Sequence, residues 1–545
     1  MSDPVLAEVA RHGLQAVAEE MGAALINTAH SINIRDRRDF SCGVFTTRGQ
    51  LAAQAEHIPV HLGLLAGVIE RVEARLGHPV PAGQMLVTND PWLTGSHLPD
   101  VVVLAPVDHG GTRLGYVANM AHQLDVGGSA PGSLSLNVAE VYTEGLRIPP
   151  LVILTNGEID PSVVELFRIN SRTPEMVVGD LLAQVAANTT GAARLIELSD
   201  RLGREKLGGA AAFLADATRR RLERRLSTLE GRAATFIDTL EWNAPDGTPQ
   251  DLEIRVALSV TGGRLIADFT GTSAQVRGPI NAVRPLTMSC LLYTVKAMLD
   301  PGLASNAGLF GAVDLITEPG SLVDAAVPAA VALCTSITSM RITDALMGAF
   351  NQLVPEAAMA ASTGSMNALI IGGRDDGHGQ AFSYVETYAG GQGGLSGADG
   401  ADGVHCHMTN TANSPVEAME RNYPMTVLRY GLLPGTGGAG QYRGGHGITR
   451  VVRLDQPATV TVHLDRTRHR PWGSGAGAPG SMASIRLRHG DTDEAIGGKS
   501  TVDVPAGTIV ELCTAGGGGW GPVAERTEAA ASRDARLGLT PGKTA

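Results

Sequence analysis

Aromatic residues are scarce in this chain, with 4 Trp, 8 Tyr and 9 Phe among 545 residues, whereas Gly is abundant at 68. That balance implies many turns and close backbone approaches rather than disorder, because the hydrophobic content of 43% is that of a chain able to bury a core. No apolar run reaches the roughly 18 residues of a membrane span, and the N-terminus lacks the charged start and apolar segment of a signal peptide. Cysteine is sparse as well. Cys42, Cys290, Cys334, Cys406 and Cys513 are odd in number, widely spaced and form no CxxC, which fits reduced thiols in a cytoplasmic protein better than a disulfide framework. Positive charge is also lacking. The net charge of -12 argues against a nucleic-acid binder held by phosphate contacts. The longest basic run, Arg219, Arg220, Arg221, Arg224 and Arg225, shares a helical pattern with Leu214, Leu222, Leu226 and Leu229, and reads as a solvated helix face or a subunit contact.

The length exceeds one ordinary core and predicts about two to four packed domains. The patterning predicts a mixed α/β (α+β), multidomain fold. Residues 4–29 place Leu14, Val17, Met21 and Leu25 at helical spacing. A hairpin is expected over 40–54, turning at Arg48-Gly49, and a helix over 63–76. Residues 85–87 read as a short strand. Residues 101–106 and 113–121 are continuous apolar runs, separated by the turn sequence Asp108-His109-Gly110-Gly111. Helical patterns fill 161–240. Around Glu241 the period changes to two, with strands expected over 252–256 and 264–269 and helices over 285–300 and 338–354. From about 431, short strands and Gly turns dominate. These shifts predict an N-terminal α/β region over 1–240, a central α+β region over 241–430, a strand-rich region over 431–524 and a loosely held tail over 525–545.

One stretch carries chemistry. It reads Asn89-Asp90-Pro91-Trp92-Leu93-Thr94-Gly95-Ser96-His97-Leu98-Pro99-Asp100 and resumes at His122-Gln123-Leu124-Asp125-Val126-Gly127-Gly128. If the two apolar runs form one antiparallel hairpin turning near Gly110, Asp100 falls opposite Met120 and Leu98 opposite His122. His97, Asp100 and His122 then reach the open end of that hairpin from two directions. Two imidazoles and one carboxylate suit Zn, Mn or Fe, with positions left for water or substrate. The same residues could instead cap strand ends and turns. Asp125 and Asp90 would complete the shell, orient a ligand histidine or act as general base.

Further ordered blocks carry a family resemblance. They include Asn33-Ile34-Arg35-Asp36-Arg37-Arg38-Asp39-Phe40-Ser41, Pro59-Val60-His61-Leu62-Gly63, Glu144-Gly145-Leu146-Arg147-Ile148-Pro149-Pro150, Asn170-Ser171-Arg172, Asp268-Phe269-Thr270-Gly271-Thr272-Ser273 and His407-Met408-Thr409-Asn410-Thr411. With them, roughly residues 3–525 resemble hydantoinase B subunits, the matching half of 5-oxoprolinases and the related subunit of acetone carboxylases. The resemblance implies the metal-bearing subunit of a cytoplasmic, ATP-dependent hydrolase of cyclic amides (hydantoins, 5-oxoproline or lactams). A separate hydantoinase A-type partner would bind ATP and phosphorylate the amide oxygen. This chain would then hydrolyse the activated amide with the aid of a divalent metal, Zn or Mn. In the acetone carboxylase relatives a His-x-x-Asp pair and a later His hold the metal; the matching positions here are His97, Asp100 and His122. The chain departs from the family pattern at Met120-Ala121-His122-Gln123 and at Ser336-Ile337-Thr338-Ser339-Met340, which leaves the substrate open. The alternatives are the metal-bearing component of an ATP-dependent ketone carboxylase and a non-catalytic scaffold for the ATP-binding partner.

Other motifs are weaker. Gly497-Gly498-Lys499-Ser500 resembles the end of a phosphate loop, but Asp493 stands where that loop needs Gly. Gly516-Gly517-Gly518-Gly519 reads as a tight backbone turn or an anion nest. His405-Cys406-His407 would present two imidazoles on one face of a strand, as a second metal site or as hydrogen-bonding groups near the cleft. Arg147 in its loop could hold an anion or lock the loop by an ion pair, and Asn170 and Arg172 share that ambiguity. No Gly-x-Ser-x-Gly elbow is present, which argues against a serine hydrolase.

Overall fold

The computed structural model describes residues 4–375 and 380–540. A seven-stranded antiparallel sheet near the N-terminus positions the site. Its strands are β1 (Phe40–Phe45), β2 (Leu51–Glu56), β3 (Gln84–Thr88), β4 (Asp100–His109), β5 (Thr112–His122), β6 (Leu151–Thr155) and β7 (Glu158–Ile159), in the order β2-β1-β5-β4-β3-β6-β7. Helices Pro4–Thr28 and Pro174–Leu202 cover one face, where Leu14, Val17 and Met21 share a core with Val101, Val103 and Val117. Val102, Leu104 and Met120 face the other way, into a larger core with helices Arg284–Leu299 and Ser339–Leu353. A strand buried on both faces needs apolar side chains at both parities. That is why 101–107 reads as an unbroken apolar run even in an antiparallel sheet.

The β4–β5 hairpin turns through Gly110 (φ 58°) and Gly111 (φ 73°), a left-handed pair that matches strand twist in a two-residue turn. The turn centres between Gly110 and Gly111 and a bulge lies between Val107 and Asp108, each shifting the pairing by one residue, so Asp100 faces His122 directly rather than Met120. This corrects the expected register by two residues. Strand side chains alternate with a period of two, so the slip leaves each on its own face and the three donors at the same end.

Three more sheets follow. The second pairs Ala233–Asn243, Pro249–Thr261, Arg264–Asp268 and Val313–Ile316. Residues 233–240, expected as helix, are thus strand: the Ala-rich start is a weak helix signal that eleven paired positions with Pro249–Thr261 override. The third sheet joins Ala368–Asp375 and Gln380–Thr387 to Ala458–His463 and Lys499–Val504. The fourth holds Met425–Leu432, Ile448–Leu454, Ser484–His489, Thr492–Ile496 and Ile509–Cys513. Sheet membership therefore runs across the expected division at 430, because patterning finds strands but not their partners. Residues 528–536, expected in a loose tail, form a helix (Glu528–Arg536) whose buried Asp534 accepts from Arg443 at 3.1 Å and Arg526 at 2.6 Å. Residues 541–545 of that tail lie outside the described residues.

The glycine content has a structural destination. Stretches within 390–394, 437–447, 473–480 and 515–521 run beside one another outside the four sheets and hydrogen-bond between segments. The bonds include Gly391 N–H to Ala515 at 3.0 Å, Gly394 N–H to Gly518 at 2.8 Å and Gly517 N–H to Gly445 at 3.0 Å. A Cβ at Gly444, Gly517 or Gly518 would overlap backbone of the neighbouring segment. Only glycine permits this spacing, as at the axis of a collagen-like bundle. Gly516–Gly519 is therefore a packing element.

A buried ionic network ties the sheets together. Arg341, Arg466 and Lys499 meet Asp238, Asp344 and Asp465, with Arg466 at 2.9 Å from Asp238 and 2.7 Å from Asp344, and Lys499 at 2.7 Å from Asp465. Lys499 is thus committed to a carboxylate and not presented to a phosphate. The basic helix face is neutralised locally, Arg219 by Asp216 and Glu223 and Arg221 by Asp300. No helix among the described residues is long and apolar enough to cross a membrane.

Candidate metal centre

The approach to β4 is built by a short capped helix. Asp90 accepts from Trp92 N–H at 3.1 Å and starts the helix Pro91–Thr94, which Gly95 ends with φ 86°. The chain then reverses through Ser96 and His97, with Asp100 N–H donating to the His97 carbonyl at 3.1 Å. Across the sheet, His122 ends β5. His97, Asp100 and His122 each offer a ligand atom within 4.8 Å of the others, and all three are buried. They are the only such group of His, Cys, Asp or Glu among the described residues.

The three side chains have fixed neighbours. His97 Nδ1 donates to the Ala332 carbonyl at 2.8 Å, which turns Nε2 toward Asp100 Oδ2 at 3.3 Å. Asn33 is fixed by Arg37, which donates to its Oδ1 at 2.9 Å, and its amide nitrogen lies 3.4 Å from His122 Nδ1. Asp100 Oδ2 accepts from Ser96, while Oδ1 is buried with no partner. An orphaned carboxylate oxygen beside two imidazoles fits a cation, since a buried acceptor left unpaired is costly.

Electrostatics support the same use. Burial opposes ionisation of Asp100, but the charge and hydrogen bond of His97, with His61 and His122 behind it, outweigh burial and hold the carboxyl below its usual range. Burial pulls the His97 pKa down, and the adjoining Asp100 carries it above the usual imidazole range. Burial dominates at His122 and lowers its pKa to about 4, so the ring is neutral near pH 7 and keeps a lone pair for a metal.

The structure separates the five predicted site residues. His97, Asp100 and His122 come together and line a cavity of about 40 Å³. Asp90 and Asp125 do not line it. Asp90 is spent on its cap and on Arg147 at 2.7 Å, whose guanidinium also stacks on Trp92. Asp125 accepts from Gly127 and Gly132 N–H groups at 2.9 Å each and pairs with Arg172 at 3.1 Å. Both carboxylates lock loops, so Arg147 and Arg172 take the ion-pair role.

Sequence reasoning missed Asp39 and His61, which also line the cavity. His61 Nε2 lies 3.9 Å from Asp100 Oδ2, and its Nδ1 meets Ser41 at 3.1 Å. Burial lowers the His61 pKa. Burial, reinforced by the Asp100 charge, raises that of Asp39 despite Arg37. Both sit inside blocks that carry the family resemblance, and those blocks were the signal that could have found them. His405-Cys406-His407 is no strand, and His407 has φ 54°. His405 bonds Thr409 at 3.1 Å, while His407 Nε2 lies 3.5 Å from Asp344 Oδ1 without a hydrogen bond.

Glu144 supports His97 from behind. It is buried, and its Oε1 accepts from the Val331 and Ala332 N–H groups at 2.6 Å each, fixing the residue whose carbonyl orients His97. Burial pushes its pKa up to about 8. The folded state then holds a proton that the unfolded chain releases near 4.5, so the contribution of Glu144 to stability falls as pH rises from about 4.5 to about 8 and is level above that. Glu144→Gln keeps the acceptor and cannot ionise. Its melting temperature relative to the parent chain should climb between pH 5 and pH 8, on the order of one or more kcal/mol in stability; parallel melting curves across that window would refute the assignment.

Comparison with known proteins places these features. The family model described as hydantoinase B/oxoprolinase matches residues 3–523. An uncharacterised protein of Methanocaldococcus jannaschii is 38% identical over 527 residues, covering 96% of this chain and 92% of its own length. 5-Oxoprolinase 1 of Arabidopsis thaliana is 33% identical over 96% of this chain, which spans only 42% of that protein. The B-type component of a putative D-/L-hydantoinase from a Pseudomonas species is 30% identical, with 96% and 91% covered. Among solved structures, the ATP-dependent caprolactamase from Pseudomonas jessenii superposes with a TM-score of 0.92 at 26% identity, over 99% of this chain and 94% of that one. Acetone carboxylase in a nucleotide-free state gives 0.89 at 17% identity, over 99% and 78%, a likeness of fold alone.

Proposed function

The chain belongs to the hydantoinase B/oxoprolinase family, and from that premise we propose that it is the metal-bearing subunit of an ATP-dependent cyclic-amide hydrolase. A separate hydantoinase A-type partner would bind ATP and phosphorylate the amide oxygen, and this chain would open the activated ring. The chemistry calls for such an activation: an unstrained amide is a poor electrophile, and phosphorylation gives it a leaving group.

The observation that carries the reading is the convergence of His97, Asp100 and His122, with Asp100 Oδ1 buried and unpartnered, on one cavity. These three residues would hold a divalent cation, Zn or Mn. When bound, the cation supplies Lewis acidity that makes water a stronger acid and nucleophile near neutral pH. The protein supplies the rest. Ala332 holds the His97 imidazole in place, and Ser96 fixes Asp100. Asp39, a carboxylate whose pKa burial raises, replaces Asp90 and Asp125 as the candidate base that takes a proton from water in the cavity.

The test is reconstitution with an ATP-binding partner of the hydantoinase A type. ATP consumption coupled to ring opening of a hydantoin or lactam is the expected result; turnover of a ketone with bicarbonate instead would overturn the proposal. The chain alone should show no micromolar ATP affinity by titration calorimetry, because its one near-match to a phosphate loop has Lys499 paired with Asp465. Tight ATP binding by the isolated chain would remove the need for a partner.

A further inference from the structure

Four arginine side chains are almost fully buried: Arg37, Arg341, Arg450 and Arg466. Three of them face a carboxylate. Arg341 and Arg466 belong to the network with Asp238, Asp344 and Asp465, and Arg450 lies 3.9 Å from Glu386. Arg37 is the exception among the described residues. Its hydrogen bonds go to neutral acceptors: Nη1 donates to Asn33 Oδ1 at 2.9 Å and to the Val385 carbonyl at 2.6 Å, and Nη2 donates to Thr387 Oγ1 at 2.9 Å. Its Nε–H is buried with no partner. A guanidinium keeps its proton at any working pH, so Arg37 is a buried charge without a counter-charge, which is costly to hold.

That charge belongs to the metal cavity, which Arg37 lines together with His97, Asp100 and His122. Its field reaches the neighbouring groups. Burial lowers the His122 pKa and raises that of Asp39; the Arg37 charge adds to the first shift and opposes the second. Two hydroxyls adjoin the guanidinium. Thr387 Oγ1, which accepts from Arg37, lies 2.7 Å from Thr411 Oγ1, and both threonines line the same cavity. A divalent cation on His97, Asp100 and His122 would make the balance more positive still, because Asp100 is the single carboxylate of that set. What the cavity lacks is an anion.

We propose that Arg37, with Thr387 and Thr411, forms an oxyanion site in the metal cavity that holds the phosphoryl group of the activated amide. A guanidinium fixed by its neighbours presents its remaining N–H groups to a phosphoryl oxygen without first having to be ordered. A carboxylate on the substrate would satisfy the same charge, but only some cyclic amides carry one. Every amide activated by phosphorylation carries the phosphoryl group, so a permanent buried cation beside the metal donors suits that group. The inference rests on the ATP-dependent reading above and assigns Arg37 a part in it.

The test titrates the full chain, loaded with Zn, with inorganic phosphate and separately with 5-oxoproline, and uses the reconstituted complex for kinetics. Phosphate should bind at least about tenfold more tightly than 5-oxoproline. Arg37→Gln should weaken phosphate at least about tenfold and lower kcat/KM for ring opening as much, with metal content unchanged and ATP hydrolysis by the partner continuing. Thr387→Val removes one hydroxyl at nearly constant volume, should weaken phosphate severalfold, and decides alone if Arg37→Gln does not fold. No phosphate binding, or phosphate binding unchanged in the folded variants, would overturn the inference. 5-Oxoproline binding that is tighter than phosphate and lost in the variants would give the site to a substrate carboxylate and overturn the phosphoryl assignment. If the complex opens cyclic amides with phosphate binding and kcat/KM unchanged in the variants, this inference fails while the function stands. If the complex opens no cyclic amide although phosphate binding depends on Arg37 and Thr387, the function fails while the anion site stands.

Discussion

His122→Ala should cost the reconstituted complex at least about 100-fold in ring opening, with metal content well below one per chain. The imidazole is one of three donors and is neutral near pH 7, so its loss removes a strong ligand outright. Ala leaves space that water fills, and Asp100 with His97 alone makes a weak site. Folding should survive, because Val101, Val103 and Val117, which anchor the hairpin in its core, are untouched. ATP hydrolysis by the partner should continue, uncoupled from ring opening. Elemental analysis and a coupled assay on the same preparation decide the matter: full metal occupancy with unchanged turnover would make His122 a structural residue and end the proposed mechanism.

Gly444→Ala should destabilise the chain by about 3 kcal/mol or more, far beyond an ordinary surface substitution. The added Cβ would overlap the Gly517 carbonyl and lie 2.8 Å from the Gly518 oxygen. These are backbone atoms of an inter-segment bundle, so no side chain can rotate away. The variant should melt several degrees lower or accumulate insoluble. Gly208→Ala is the control. It lies in the helix Arg204–Ser227 with nothing within 4 Å of the new Cβ, and should be stabilising by about 0.5–1 kcal/mol through its effect on the unfolded chain. Similar melting of both variants would contradict the close backbone packing.

Local order was legible in the residues themselves. The helical spacing of Leu14, Val17 and Met21, the unbroken apolar runs flanking Gly110-Gly111 and the His97, Asp100 and His122 triad could all be read without coordinates, because they depend on short-range periodicity and on one hairpin. Even a register wrong by two residues put the donors together, since alternation preserves the face. The family, too, was legible from its ordered blocks.

What could not be read was long-range. Asp90 and Asp125 looked as available as Asp100, and only the tertiary structure brings Arg147 and Arg172 against them. Asp39 joins the cavity from the residue before β1 and His61 from the first turn of the helix His61–Leu65, and Glu144 acts through the N–H groups of Val331 and Ala332. Which short strands share a sheet, and how the glycine segments interleave, were likewise decided by packing. By itself the sequence determined many of the elements, the hairpin and the end of it where His97, Asp100 and His122 meet, because neighbouring residues encode period and turn. The tertiary structure decided which carboxylates are free and which are paired, because that depends on contacts between segments well separated along the chain.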